Sequence, residues 1–430
     1  MVYRFPGPPA TGDAVGTGPN GGLATDSSGN VYGTTPYSGA GGEIYEVTAA
    51  SKAITLYSFP GAASGTFPSA GLTRDSTGSL YGVAGGGAWD AGVLFRLDAN
   101  GQETVLYSFT GGSDGAFPVS NVVLDAASNV YGTTKGGGAS NQGVVFKVNT
   151  SGTETVLHSF TGGADGGLPN GVVIDSQGNL YGTTFAGGEG SRTGAQEGVV
   201  FMLDPTGNET VLYNFTGLSD GGAPTAGVIR DAGGNLYGTT NEGGLGFGVI
   251  YKVDPAGQET VLYTFTGGAD GGAPLGGLIF GPDGGLFGTT NGYGAPPEGE
   301  GEGVVFELEA SGQYTVLYTF NGEAGGGFPY AGVVRDAEGN LYGTTYQGGG
   351  PGCAGFGCGV VFEVHPGGQE IVLHAFTGYA DGGNPAAGLA LGPGGGLYGT
   401  TTGGGLGAFT WRAPSEGFGG GGVAYSIGVQ

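Results

Sequence analysis

Short apolar runs recur along the whole chain, and each run ends at Gly, Asn, Asp or Pro. In one unit the runs occupy residues 226–231, 236–240, 248–253 and 259–265, with tight turns at 232–235 and 254–257 and a Gly-rich connection at 241–247. Val, Ile, Leu, Tyr, Phe and Thr dominate these runs, which is typical of strands joined by hairpin turns. The unit carries no apolar pattern of helical period. The pattern therefore predicts four antiparallel strands, called A to D here in chain order.

Strand B of this unit belongs to a motif, Gly-Asn-Leu-Tyr-Gly-Thr-Thr, that recurs in eight close or loose copies. Its aromatic residues are 49 to 56 positions apart: Tyr32, Tyr81, Tyr131, Tyr181, Tyr237, Phe287, Tyr342 and Tyr398. A fixed period near fifty residues indicates a repeat architecture. Eight units of four strands predict an all-β fold, an eight-bladed β-propeller over residues 1–414. A β-solenoid is the alternative, but its coils are shorter and its parallel strands lack hairpin turns.

The predicted blade separates two kinds of connection. With strand A innermost and strand D outermost, the short A–B and C–D turns lie on one face of the ring. The B–C loops and the D–A crossovers lie on the other, which we call the loop-rich face. Three B–C loops are longer than the rest, at 185–198, 291–303 and 346–359. Insertions on one face of a repeat array often mark a binding face.

The last unit predicts how the ring closes. Its strands A, B and C are expected at 386–391, 397–401 and 407–412. Strand D could be the N-terminal segment 2–7 or the segment 423–427. The N-terminal segment is favoured because it would pair the two ends of the chain and prevent unravelling. Residues 415–430 are then a Gly-rich tail that could add one more edge strand.

Composition narrows the classes of partner. The 430 residues include 106 Gly, which sit at fixed places in the repeats as turn residues do. Only 11 Lys and Arg oppose 36 Asp and Glu, for a formal charge of −25. This balance excludes nucleic acid and anionic lipid as partners and permits cations and neutral sugars. No apolar run is long enough to insert in a membrane, and we expect a monomer.

Carboxylates of the D–A crossovers are weak candidates for a metal site. They are Asp114, Asp165, Asp220, Asp270 and Asp381. Calcium prefers such oxygen ligands, but the favoured interpretation is that each Asp caps its own turn. No other cofactor is expected. The recurring tyrosines of strand B could stack on sugars, although one aromatic at the same strand position in each blade is more typical of core between blades.

The long B–C loops and the matching loop of the second unit hold the candidate ligand-binding residues. These are Trp89, Glu189, Arg192, Glu197, Tyr293, Glu298, Glu300, Glu302, Tyr346, Gln347 and Phe356. Carboxylates beside aromatics suit a polysaccharide-binding cleft or a glycosidase; the alternative is solvated loop decoration. His158, His365 and His374 mark no catalytic triad, so no catalytic residue is assigned.

Two cysteines, Cys353 and Cys358, lie five positions apart in a Gly-rich loop. We expect them to form a disulfide, which would indicate an oxidising compartment; free thiols are the alternative. Zinc normally requires four ligands, and no matching His or Cys pair is nearby.

The repeat resembles a bacterial family, the choice-of-anchor GloVer repeat proteins. The shared elements stand at Asp175–Thr184, Gly187-Gly188, Gly198–Phe201 and Val156–Gly162, and the likeness extends over about residues 1–412. The resemblance implies export and surface attachment, but no activity and no catalytic residues. This chain departs from the family pattern, since it shows no signal peptide at Met1–Pro6 and no anchor after Arg412.

These observations predict an extracellular or cell-surface binding module, for a glycan or a surface protein, on the loop-rich face. The alternatives are a carbohydrate-active enzyme, either a polysaccharide lyase or a glycosidase, that uses carboxylates of that face, and a purely structural envelope protein.

Overall fold

The computed structural model of the chain describes residues 2–4, 22–35, 41–48, 53–68, 70–189, 197–294, 301–379, 381–392, 395–403 and 423–428. Within these ranges the secondary structure consists of β-strands and two single-turn 3-10 helices, Ala62–Ser64 and Cys353–Gly355. No helical segment there could span a bilayer.

The strands form eight antiparallel blades. Strand β1 is Val2–Arg4. Blade one holds β2–β5: Ala24–Thr25, Val31–Thr35, Glu43–Val47 and Ala53–Ser58. Blade two holds β6–β9: Thr73–Arg74, Leu80–Ala84, Val93–Leu97 and Glu103–Ser108. Blade three holds β10–β14: Ala116–Pro118, Val123–Leu124, Val130–Gly136, Val144–Val148 and Glu154–Ser159. Blade four holds β15–β18: Gly167–Ile174, Leu180–Ala186, Val199–Leu203 and Glu209–Asn214.

The second half of the ring repeats this order. Blade five holds β19–β22: Ile229–Arg230, Leu236–Thr240, Val249–Val253 and Glu259–Thr264. Blade six holds β23–β26: Ile279–Phe280, Leu286–Thr290, Val304–Leu308 and Tyr314–Thr319. Blade seven holds β27–β30: Val334–Arg335, Leu341–Thr344, Val360–Val364 and Glu370–Ala375. Blade eight holds β31–β33, at Ala390–Leu391, Gly396–Thr401 and Val423–Gly428, together with β1.

The arrangement confirms the eight-bladed β-propeller predicted from the sequence. In blades one to seven the strands pair in chain order from A to D, with β10 and β11 of blade three both paired to β12. The ring closes because β1 pairs with β33, so that Val2 lies opposite Tyr425. The N-terminal segment is therefore strand D of blade eight, as expected.

Strand C of blade eight was predicted wrongly. Val423–Gly428 occupies that position between β32 and β1, whereas residues 407–412 lie outside the described residues. The strand at 423–428 is thus an inner member of the ring and not an extra edge strand on a tail after residue 414.

The repeated motif builds strand B and the turn before it. In blade four, Asp175 accepts hydrogen bonds from the backbone N–H groups of Gln177 and Asn179, both at 2.9 Å. The Tyr181 hydroxyl donates to the same Asp at 3.1 Å. Its ring belongs to a buried cluster with residues of blade five, among them Leu236 and Tyr251. The motif tyrosine is therefore core between blades, with its polar end satisfied by the turn.

The two threonines of the motif tie the blade to its surroundings. The Thr183 hydroxyl donates to the carbonyl of Ala226 in the next blade at 2.9 Å. The Thr184 hydroxyl donates to the carbonyl of Ala186 at 2.8 Å and accepts the N–H of Val199 at 3.0 Å. One threonine thus links neighbouring blades, and the other fixes both ends of the B–C loop.

Candidate functional site

The crossovers hold the loop-rich face together through an unusual backbone position. In seven crossovers the residue before the proline has a positive φ of 51–56°; these residues are Phe67, Phe117, Leu168, Ala223, Ala273, Phe328 and Asn384. Each donates its N–H to the B–C loop of the preceding blade, as Ala223 does to the Glu197 carbonyl at 2.8 Å. Non-glycine residues with positive φ are uncommon. Here the contacts between blades compensate for them.

The residue that accepts this hydrogen bond is the wedge residue of its blade. In blades three to six its side chain lies over two glycines of the following crossover, where a Cβ would collide with it. These four residues are Gln142, Glu197, Phe247 and Glu302, whereas Cys358, the wedge residue of blade seven, lies against one crossover glycine, Gly383. A wedge of varied chemistry therefore sits at each of these blade junctions on the loop-rich face.

Glu197, one of the predicted ligand residues, is only 5% exposed. It packs on Gly217 and Gly222. Burial, together with the nearby charges of Glu242 and Asp220, raises its pKa. Its position gives it a packing role at the junction of blades four and five.

Glu302 occupies the same position in blade six but lines a cavity. Its carboxyl lies over Gly322 and Gly327, and burial raises its pKa. Its Oε2 atom is buried and has no hydrogen-bond partner among the described residues. A buried oxygen without a partner is costly, so a donor supplied by a ligand would be favourable here.

The cavity has a volume of about 580 Å³ and lies between blades six and seven on the loop-rich face. It is lined by Ala273, Asn291, Gly292, Tyr293, Gly301, Glu302 and Phe328. Its size is within the range of small-molecule sites. The described lining combines two aromatic rings, one amide and one carboxyl, and it contains no basic group.

Packing and hydrogen bonds fix two of the lining side chains. The ring of Tyr293, whose φ is +65°, makes an edge contact with the Phe247 ring at a centroid distance of 4.8 Å. The Asn291 amide donates to the Pro329 carbonyl at 3.2 Å. The wall is therefore held in place by the B–C loop of blade five on one side and by the crossover to blade seven on the other.

Two further tyrosines lie beside the cavity on blade seven. The Tyr346 N–H donates to the carbonyl of Phe328 at 3.0 Å. The rings of Tyr330 and Tyr346 meet edge to face at 5.0 Å. Tyr330 is 44% exposed, whereas burial raises the pKa of Tyr346.

The other predicted ligand residues do not line this cavity. Trp89 and Phe356 are exposed on their own loops, at 67% and 69%. Glu189 is exposed, and its N–H donates to the Asn214 side chain at 3.0 Å. Arg192, Glu298 and Glu300 lie outside the described residues. Their roles as ligand groups stay predictions.

The crossover aspartates cap their own loops. Asp114 accepts hydrogen bonds from the Tyr107 hydroxyl at 2.9 Å and from the backbone N–H of Thr110 at 2.7 Å. The backbone contact recurs at Asp165, Asp220, Asp270 and Asp381, and a Tyr hydroxyl also donates to Asp220 and Asp270. In the described ranges no three metal-ligating side chains converge. Calcium binding stays a prediction, and the capping interpretation accounts for these contacts.

The cysteines form the expected disulfide, Cys353–Cys358, with the Cα atoms 5.2 Å apart. Cys358 is fully buried and is the wedge residue of blade seven. His158 and His374 each contact the crossover aspartate that Tyr contacts elsewhere, at 3.3 and 3.2 Å. The histidines thus take a structural place in the repeat.

Sequence reasoning missed four residues of this region. Ala273, Phe328 and Tyr330 lie on crossovers that the repeat pattern treats as structural, and Asn291 begins the long loop 291–303 but was not among its candidate residues. The sequence does carry a signal for them. The residue after the motif threonines and the residues on either side of the crossover proline differ from unit to unit, whereas the rest of the motif is repeated.

Comparison with known proteins gives a family and a fold. The profile of the Gloeobacter/Verrucomicrobia repeat matches residues 9–196 and 191–410. No curated protein matches the sequence. A puromycin hydrolase is similar in structure, with 12% sequence identity and a TM-score of 0.54. The match covers 89% of this chain and 58% of the hydrolase chain. A puromycin-hydrolyzing peptidase from Mycobacterium tuberculosis gives 12% identity, a TM-score of 0.50 and coverages of 88% and 57%.

A gluconolactonase from Xanthomonas campestris is also similar, at 16% identity and a TM-score of 0.37, covering 79% of this chain and 90% of its own. The chain thus spans somewhat more than half the length of the two puromycin-hydrolyzing proteins. At such low identity these likenesses show the fold alone.

Proposed function

The chain belongs to the Gloeobacter/Verrucomicrobia repeat family, and from this premise we propose that it is a non-catalytic binding module whose loop-rich face takes up a neutral glycan outside the cell. The cavity of blade six carries the proposal, because it places aromatic rings beside hydrogen-bonding groups. Aromatic faces stack on the apolar faces of sugar rings, while carboxyl and amide groups bind hydroxyls. The disulfide supports an oxidising location.

Charge supports a neutral ligand. The formal charge of −25 repels anions, and the described lining of the cavity offers no Lys or Arg to offset that repulsion. Neutral hydroxyl groups carry no such cost and can donate to Glu302 or accept from Asn291.

The described cavity favours binding over hydrolysis. Glycoside hydrolysis generally uses two carboxyl groups that flank the scissile bond. Glu302 is the only carboxyl among the described residues that line the cavity. A catalytic site would need a second one, for which Glu298 and Glu300, outside the described residues, are the nearest candidates in sequence.

The test is binding of labelled protein to an array of immobilised neutral and acidic glycans. We expect binding to at least one neutral glycan, and an affinity about fivefold lower for Tyr293→Ala, because a stacked aromatic contact contributes about 1 kcal/mol. Tyr379→Ala is the matched control, since Tyr379 is exposed on the next crossover and does not line the cavity.

Three results would contradict the proposal. Binding that Tyr293→Ala leaves unchanged would move the site elsewhere. If no glycan on the array binds, a glycan is excluded as the ligand. A surface protein as partner, or a purely structural role, would then remain. Release of new reducing ends or unsaturated products from a bound polysaccharide, lost in Glu302→Gln, would make the protein an enzyme.

A further inference from the structure

Aromatic side chains continue from the cavity onto blade seven. Phe328 lines the cavity, and its carbonyl accepts the N–H of Tyr346 at 3.0 Å. Tyr330 lies two residues further along the same crossover and meets the Tyr346 ring at 5.0 Å. Two residues of chain span at most about 7 Å, so the Tyr330 backbone cannot be farther than this from that of Phe328.

One segment holds both parts together. The proline between Phe328 and Tyr330 has a fixed φ, and its carbonyl accepts the Asn291 amide of the cavity wall at 3.2 Å. Tyr346 is in turn tied to blade eight, because its carbonyl accepts the Asn384 side chain at 2.8 Å. The cavity and the tyrosine pair therefore form one rigid surface and not two independent loops.

The tyrosine pair is peculiar to blade seven. The two positions carry Thr225 and Asn241 in blade five, Leu275 and Asn291 in blade six, and Ala386 and Thr402 in blade eight. In no repeat except blade seven do both positions carry an aromatic residue. The fold does not need the pair, and Tyr330 remains 44% exposed.

We propose that Tyr330 and Tyr346 form a second subsite, and that the ligand is a neutral oligosaccharide chain that spans the cavity and this pair. This inference rests on the proposed glycan-binding function and deepens it. One sugar unit fills the cavity, where its hydroxyls meet Glu302 and Asn291. The next unit along the chain stacks on the exposed ring of Tyr330.

The test is isothermal titration calorimetry at pH 7 with glucose, mannose and xylose and their β-1,4-linked di-, tri- and tetrasaccharides. For the sugar that binds, affinity should rise about fivefold from monosaccharide to tetrasaccharide, the gain expected from one added aromatic contact. Tyr330→Ala should bring the affinity for the tetrasaccharide down to that for the monosaccharide, and Tyr330→Phe should keep the gain. Tyr379→Ala should leave every affinity unchanged.

The outcomes separate the two proposals. Equal affinities for the monosaccharide and the tetrasaccharide in the wild type would overturn the second subsite and leave the glycan-binding proposal intact. A gain that persists in Tyr330→Ala, with an unchanged melting temperature, would also overturn it. Absence of binding to every sugar, here and on the array, would defeat the glycan-binding proposal itself.

Discussion

A single glycine shows how the repeat couples one residue to the core. A Cβ on Gly182 would lie 2.7 Å from the Phe201 ring in the neighbouring strand. The same glycine–aromatic pair recurs in other blades, as with Gly132 and Phe146. The glycine of the motif therefore makes room for the aromatic residue of strand C, and neither can change alone.

Gly182→Ala should destabilise the protein by about 1–3 kcal/mol, the usual cost of overpacking a core. Thermal or urea unfolding measures this change. Gly367→Ala is the control, since a Cβ there would meet nothing within 4 Å, and Gly182→Ala combined with Phe201→Leu should recover part of the loss. A Gly182→Ala variant as stable as the wild type would contradict this account of the motif.

At this scale the sequence predicted the turn aspartates and the core tyrosine correctly, because both follow from local patterns. It did not predict the roles of Thr183 and Thr184. Their partners, Ala226 and Val199, lie 43 and 15 positions away, and pairs so distant are not visible in hairpin periodicity.

The outer strands of neighbouring blades bring carboxyl groups together. Glu154 and Glu259 each begin a strand D. Burial, helped by Asp114 and Asp220 respectively, raises the pKa of each to about 7. The Oε1 atoms of both are buried without hydrogen-bond partners in the described ranges. The protonated form therefore fits the folded state better than the charged form does.

These two groups should make the protein less stable as pH rises. A pKa that is higher in the folded state gives stability that is fully present below about 4.5 and is lost as pH passes through about 7. We expect the melting temperature to fall between pH 5.5 and 8, and to fall less in Glu154→Gln combined with Glu259→Gln. The hydroxyls of Tyr107 and Tyr213 are further titratable groups beside these glutamates, and they donate hydrogen bonds to Asp114 and Asp220 respectively.

Glu209 is not part of this test, because it also contacts His158. Burial lowers the pKa of that histidine, so its titration would overlap with that of Glu209. An identical slope of melting temperature against pH in the wild type and the double variant would rule out these glutamates as its cause.

The disulfide supports the loop of blade seven. A link that closes so short a loop contributes about 2 kcal/mol in the chain-entropy description. Cys353→Ala combined with Cys358→Ala should therefore unfold at lower urea. A reductant should destabilise the wild type and leave the double variant unchanged. Wild-type protein with titratable free thiols and unaltered stability would contradict this role.

The site was less predictable than the fold, for a physical reason. The sequence pointed to Tyr293, Glu302 and Tyr346, because their loops differ from the other copies. It missed Phe328 and Asn291, since the cavity forms only when two blades pack together. It could not show that Glu197 is buried while Glu302 lines a cavity, although both are the wedge residues of their blades.

Closure of the ring depends on both chain ends. Val423 takes the place of the first residue of strand C, since its N–H donates to the Thr401 hydroxyl at 3.0 Å. Tyr425 then lies opposite Gly399, in the same register as Phe201 and Gly182. The prediction of strand C at 407–412 failed because it assumed a B–C loop of usual length, whereas the aromatic partner of Gly399 comes later.

Removal of residues 1–5 should open blade eight and lower the midpoint of urea unfolding. It deletes β1 and exposes the edge of β33, and an unpaired edge also favours association between chains. A synthetic peptide of residues 1–7 should restore part of the stability. A truncated protein with an unchanged midpoint would show that β1 is dispensable for closure.

A crystal structure of the protein with a bound neutral tetrasaccharide tests the account most directly. We expect one sugar unit between Tyr293 and Phe328, within hydrogen-bond distance of Glu302 or Asn291, and the next unit against Tyr330. A tetrasaccharide bound on the face of the short A–B and C–D turns, or elsewhere on the loop-rich face with the cavity of blade six empty, would contradict it.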